Sequence, residues 1–174
     1  GLGVGTHIET DDDGNWYLGG DFTQVDGVPR RNLARVLADF TLDPDWAPDP
    51  NYDVTSLAIN SDGKFLYVGG WFTTIGGQDR GHIAALSAAT GVPTAWNPGT
   101  DGTVYTLALS ADDRTLYAGG GFDFVGGQAH IYIDEINASY GKHAIHLASS
   151  DIVCRKDPPP RNEPAWRKTA LLTG

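Results

Sequence analysis

The chain has 174 residues, 40% of them hydrophobic and 20% charged, a composition typical of a globular protein. Its formal net charge of −10 disfavours binding to nucleic acid, and no apolar run approaches the roughly 18 residues of a membrane span. The single cysteine, Cys154, excludes an intrachain disulfide and a cysteine-based zinc site built by this chain alone.

Three copies of a Tyr-x-Gly-Gly sequence follow one another at a spacing of 50 residues, starting at Tyr17, Tyr67 and Tyr117. Other positions recur at the same period: Phe22, Phe72 and Phe122; Gly27, Gly77 and Gly127; Arg30 and Arg80; Trp46 and Trp96. A fixed period of this size is the signature of a repeat architecture. We therefore expect an array of similar units. Because the chain starts at Gly1 inside a repeat and contains no Met, we also expect a piece of a longer protein.

The second repeat predicts four short antiparallel strands. The first is rich in β-branched residues and ends at the tight turn Ser61-Asp62-Gly63, and the second carries the pair Gly69-Gly70, where another backbone can approach closely. The prolines of the last segment suit an edge strand. The predicted strands cover residues 54–60, 64–72, 82–88 and 93–98. Four strands in 40 to 50 residues form the unit of a β-propeller.

The same pattern along the chain predicts an all-β partial propeller of about three four-stranded blades, near residues 4–48, 54–98 and 104–141, with turns near Asp62-Gly63 and Asp112-Asp113. Residues 1–141 carry a net charge of −13, whereas residues 142–174 carry +3 and are rich in proline. This tail has two interpretations that stay open: a linker or docking extension, or a sequence foreign to the repeat.

Two segments of the second repeat resemble the delta-60 repeat, a bacterial β-propeller family of unknown function, and the wider kelch-like group. They are the blocks from Tyr67 to Arg80 and from Ala89 to Pro98. The resemblance covers about residues 1–141 in three copies. It implies a propeller fold in a secreted or surface-anchored bacterial protein, and the family offers no catalytic residues to transfer.

A cluster of oxygen ligands lies in the first repeat. Asp11, Asp13 and Asn15 surround a glycine turn and could gather around calcium. The equivalent positions of the other repeats read as plain hairpin turns, so the alternative is a structural turn without a metal. We expect no other cofactor and no essential role for calcium in folding.

Aromatic residues are the main candidates for binding. Trp46 and Trp96 recur at one blade position, which predicts packing between blades. Trp71 has Asp21 and Gly121 as its counterparts, so no shared packing rule requires it, and an exposed binding role becomes plausible. The candidate ligand-binding residues are Trp71, Arg30, Asp79 and Arg80.

The sequence contains no nucleophile motif, and we expect a non-enzymatic structural or interaction module from an extracellular or cell-surface protein. Its expected partners are other blades or subunits, because each blade buries its faces only against neighbours. We therefore expect the chain to associate. Two alternatives stay open: a carbohydrate-binding, lectin-like propeller with a glycan ligand, and the non-catalytic part of a propeller hydrolase.

Overall fold

The computed structural model describes residues 6–123, residue 125 and the backbone of residues 144–148. These residues form thirteen strands and no helix, which confirms the all-β prediction. Within them no helix is long and apolar enough to cross a membrane. The strands are β1 (His7–Thr10), β2 (Trp16–Gly19), β3 (Gln24–Val25), β4 (Val28–Pro29), β5 (Leu33–Val36), β6 (Val54–Ile59), β7 (Phe65–Gly70), β8 (Thr74–Ile75), β9 (Gln78–Asp79), β10 (Ile83–Ser87), β11 (Thr103–Leu109), β12 (Thr115–Gly121) and β13 (Ala144–Ala148).

The strands assemble into three antiparallel sheets that repeat one topology. Their orders are β1-β2-β5, β6-β7-β10 and β11-β12-β13, so the diglycine strand is central each time. The register repeats as well, since Gly19 pairs with Leu33 and Gly69 pairs with Ile83. Two small hairpins, β3-β4 and β8-β9, form separate two-stranded sheets in the first and second blades. We call each sheet with its attached turns a blade.

The hairpin between the first two strands of each sheet is closed in one way. The residue directly after the first strand accepts a backbone N–H from across the turn: Asp11 from Asn15 at 2.8 Å, Asn60 from Phe65 at 2.8 Å, and Ser110 Oγ from Thr115 at 3.0 Å. Short polar side chains make this bond readily, which suits them to turns. The predicted turns near Asp62-Gly63 and Asp112-Asp113 are confirmed.

The fourth strand of the first and second blades is much shorter than the sequence pattern predicts. In the first two blades it is a single bridged residue, Leu42 beside Val36 and Pro93 beside Leu86. Two backbone bonds flank the second bridge, from Ser87 N to Val92 O at 2.9 Å and from Thr94 N to Ala85 O at 2.8 Å. Proline has no N–H to donate, so the ladder does not extend along this segment.

The third sheet takes its outer strand from residues 144–148. Strand β13 pairs with β12 from Thr115 with Ala148 to Gly119 with Ala144. Strand pairing thus continues beyond residue 141, into the segment assigned above to the tail. Residues 126–141 of the predicted third blade and the rest of the tail lie outside the described residues.

Two apolar cores lie between neighbouring sheets, and we call these contact surfaces the first and second seams. The first seam joins the first and second blades around Tyr17, Trp46, Leu57 and Phe72. The second seam joins the second and third blades around Ile83, Val104, Leu107 and Leu116. Stacking of similar sheets through buried side chains is the packing of a β-propeller. The described part of the chain is therefore a partial propeller.

Candidate functional site

An exposed aromatic pair, Trp71 and Tyr105, lies on the surface across two blades. The ring centroids are 6.2 Å apart and the planes are inclined by 59°. Trp71 is 49% exposed and Tyr105 is 51% exposed. Rings that contact one another while half of each remains in water offer an apolar platform for a partner.

The backbone explains how the two rings meet. Trp71 directly follows β7 of the second blade, and its N–H donates to Asp53 O at 2.9 Å. Tyr105 lies in β11 of the third blade, where the pairing register shifts between Val104 and Thr106. Such a bulge re-aims the side chain of the extra residue. The ring of Tyr105 therefore reaches the ring on the preceding blade.

Both positions break the repeat. The counterparts of Trp71 are Asp21 and Gly121, and the counterparts of Tyr105 are Gly5 and Thr55. Thr55 occupies the equivalent bulge in β6, and its hydroxyl donates to Val104 O at 2.5 Å. A hydroxyl that bonds the backbone serves blade packing, whereas a half-exposed ring does not. The aromatic pair is thus an addition to the fold.

The acidic residue Asp53 contacts Trp71 through its backbone carbonyl, which accepts the Trp71 N–H. Burial raises the pKa of the Asp53 carboxyl above its usual range, and the charge of Asp21 raises it further.

Arg30 and Arg80, predicted from the sequence as binding residues, are buried in the fold. They are only 8% and 7% exposed. Arg30 Nη2 donates to Asp43 O and Pro44 O, both at 2.8 Å, and Arg80 Nη2 donates to Thr94 O at 2.7 Å. Each guanidinium therefore ties a small hairpin to the segment of the fourth strand.

The two arginines thus do not form an exposed groove with Trp71. Of the four predicted ligand-binding residues, Trp71 and Asp79 are exposed. The recurrence of arginine at one repeat position was the signal for a structural role, as it was for the repeated tryptophans. Trp46 is 1% exposed and donates from Nε1 to Ala88 O at 2.9 Å across the first seam, which confirms the packing prediction for that residue.

The three residues considered for calcium are engaged in a hairpin turn. Asp11 Oδ2 accepts from Asn15 Nδ2 at 2.9 Å and from the Tyr17 hydroxyl at 3.0 Å. Burial raises the pKa of Asp11, but the hydrogen bonds from Asn15 and Tyr17 outweigh it and hold the pKa below its usual value. Asp13 is exposed on the turn. The Asp11 carboxylate thus closes the hairpin turn of the first blade, as the side chains of Asn60 and Ser110 do in the other blades.

Within the described ranges, no group of three or more His, Cys, Asp or Glu side chains is placed to hold a metal ion. The geometry around Asp11, Asp13 and Asn15 therefore gives no support to a calcium site. The effect of calcium on folding stays a prediction for experiment.

Comparison with known protein families also indicates a β-propeller. Residues 12–45 and 60–88 match the model of a family described as a domain of unknown function (DUF5122) beta-propeller. The two segments lie in the first and second blades. No curated protein matches the chain. The chain is therefore a partial β-propeller that is similar, over these two segments, to a propeller family of unknown function.

Proposed function

We propose that this chain is a non-enzymatic interaction module, part of a larger secreted or cell-surface bacterial β-propeller protein, and that it contacts partners through the aromatic pair. The observation that carries the proposal is that Trp71 and Tyr105, two rings outside the repeat pattern, meet at 6.2 Å while both remain half exposed. Aromatic side chains on rigid strands supply contact area at low entropic cost. The blades are the scaffold that holds them.

The net charge of the chain indicates which partner surfaces complement it. The chain as a whole is acidic, with a net charge of −10. A partner surface with an apolar centre and a basic edge complements this arrangement. A second copy of this chain carries such a basic segment in residues 142–174, whose net charge is +3.

Sedimentation velocity of the purified chain over a range of concentrations tests this proposal. We expect association, and we expect the double variant Trp71→Ala with Tyr105→Ala to weaken it. The matched control is Phe40→Ala, because Phe40 is a larger exposed aromatic surface at 78% and is not part of the pair. A chain that stays monomeric throughout, or association that the double variant leaves unchanged, would contradict the proposal.

A second candidate is a carbohydrate-binding function, favoured by the tilted arrangement of two exposed rings. Sugar rings carry apolar faces that stack on aromatic side chains, and the carboxylate of Asp53 could accept hydrogen bonds from hydroxyls. Titration calorimetry against a panel of neutral oligosaccharides tests this candidate. Binding that is lost in the double variant and kept in Phe40→Ala would support it, and heats equal to dilution for every sugar would exclude it for that panel.

A further inference from the structure

Each seam is built around one glycine of the diglycine strand. A Cβ on Gly19 would lie 2.5 Å from Val54 Cγ1, and a Cβ on Gly69 would lie 2.7 Å from Val104 Cγ1. The leucine three residues after each valine closes over the same glycine, at 3.2 Å for Leu57 Cγ and 3.3 Å for Leu107 Cδ1. Any side chain at these glycines would displace the next blade. Each glycine is therefore a seat for a Val-x-x-Leu strand.

A polar bond accompanies each seat. In the second seam Leu107 N donates to Ser56 Oγ at 2.9 Å. In the first seam Leu57 N donates instead to His7 Nδ1, also at 2.9 Å. In both cases a side chain on the first strand of one blade accepts the N–H of the leucine that the next blade inserts. The incoming strand is thus recognised by shape and by one backbone donor.

The third sheet repeats the residues of this seat in a more exposed setting. In the second sheet Ser56 is 3% exposed, Ala58 is 6% exposed and Gly69 is buried. The equivalent residues of the third sheet are Thr106, Ala108 and Gly119. Thr106 and Ala108 are exposed and Gly119 is only partly buried. We call this surface the third face.

We propose that the third face docks a further blade of the same repeat, whose first strand inserts a valine over Gly119 and a leucine three residues later. The proposal deepens the proposed role as part of a larger propeller and rests on it. The third face continues an interface that the chain already forms twice, and continuity of a repeated interface identifies the occupant. The hydroxyl of Thr106 would accept the N–H of the inserted leucine, as Ser56 does for Leu107.

The first blade of a second copy is a poorer occupant. It offers Val4 followed by His7 at the position of the leucine. His7 already accepts the N–H of Leu57 through Nδ1, so its ring is committed to the first seam. A repeat with the Val-x-x-Leu pattern of residues 54–57 fits the seat without that conflict.

The test appends a second copy of residues 50–98 to the full chain through a flexible Gly/Ser linker, which raises the effective concentration of the added blade. A single blade cannot bury its faces alone, so an undocked copy is expected to be open to protease. Lys64 and Arg80 of the appended copy are trypsin sites, and the half-life of their cleavage is the readout. Docking should lengthen that half-life by about tenfold or more.

Two variants make the test specific. Gly119→Leu fills the seat in the receiving blade, and Val54→Asp with Leu57→Asp in the appended copy alone removes the inserting pair. Both should return the half-life to that of an undocked copy. The unextended chain carrying Gly119→Leu should unfold at the same urea concentration as the wild type, which separates a filled seat from a damaged fold.

Rapid cleavage of the appended copy in every variant, or protection that survives Gly119→Leu, would overturn the proposal. The readout does not involve Trp71 or Tyr105. Failure of the aromatic pair to bind a partner would therefore leave the blade-docking result intact, and failure of docking would leave the binding result intact.

Discussion

The two seams of this propeller use the same seat but differ in what surrounds it. At the first seam Ala88 O accepts two donors from the first blade: Trp46 Nε1 at 2.9 Å and Arg35 Nη1 at 2.8 Å. At the second seam Tyr67 and Trp96 still meet edge to face at 5.6 Å, but both are only partly buried. Ala85 replaces Arg35 there. The repeat thus builds both the apolar seat and the aromatic pair, and the burial and hydrogen bonds around that pair distinguish the two seams.

The largest difference in stability between the two seams should come from substitution of the two repeated tryptophans. We expect Trp46→Ala to lower the free energy of unfolding by about 4 kcal/mol, because a fully buried ring and a buried hydrogen bond are lost together. Trp96→Ala should cost about 2 kcal/mol, because part of that ring is already in water. Urea unfolding followed by circular dichroism measures both. Equal losses of unfolding free energy in the two variants would contradict the proposed difference between the seams.

Substitution of the seat glycine by alanine should cost similar stability at both seams and less stability on the third face. Gly19→Ala and Gly69→Ala should each cost about 2 kcal/mol, since the added Cβ would press on a stiff valine. Gly119→Ala should change stability by less than about 0.5 kcal/mol in the 174-residue chain. The same urea series decides this. A large cost at Gly119 would mean that its seat is already filled.

The ion pair at the first seam should make that seam sensitive to acid. Asp43 Oδ2 accepts from Arg35 Nε at 2.9 Å, and both side chains are largely buried. Burial raises the pKa of Asp43, but the bonds from Arg35 and the N–H of Asp45 outweigh it, so the pKa is lowered overall. We expect Asp43→Asn to cost about 2 kcal/mol at pH 7.

The sign of this pH dependence follows from the lowered pKa. The ionised carboxylate stabilises the folded state above its unfolded pKa of about 3.9, and that contribution is lost as the pH falls through the lower folded value. The stability difference between wild type and Asp43→Asn should therefore be constant from pH 7 to about pH 5 and should shrink below about pH 4. A difference that grows on acidification would contradict the assignment.

The smallest effect on stability is expected from calcium at the acidic turn of the first blade. Because Asp11 is already bonded to Asn15 and Tyr17, millimolar calcium should not raise the melting temperature. Differential scanning fluorimetry with calcium or with a chelator tests this. A melting temperature that rises by many degrees with calcium, with the rise lost when Asp11 and Asp13 are changed to Asn, would show that calcium binds at this turn.

The sequence predicted the blades well because their determinants are local and periodic. The diglycine strand, the turn residues and the repeated Trp46 recur at fixed spacing, and each has one physical role. The site was harder to predict. Tyr105 reaches Trp71 because a bulge in β11 turns it. Neither ring recurs in the other repeats, so the period gave no signal for their contact.

Long-range hydrogen bonds were the other feature that the sequence did not show. Arg30 and Arg80 were candidates beside Trp71, yet they are buried and donate to backbone carbonyls of the fourth-strand segments. Those carbonyls are available because the fourth strand forms only one bridge. The burial of each arginine was thus decided by residues more than ten positions away.

The accessibility of two equivalent alanines tests the central claim most directly. In a Cys154→Ser background, Ala58→Cys places a thiol in the second seam and Ala108→Cys places one on the third face. If the second seam is closed and the third face is open, Cys-specific labelling at position 58 should be slower than at position 108 by at least about tenfold, which corresponds to an opening free energy of about 1.4 kcal/mol. Equal labelling rates at the two positions would contradict the account.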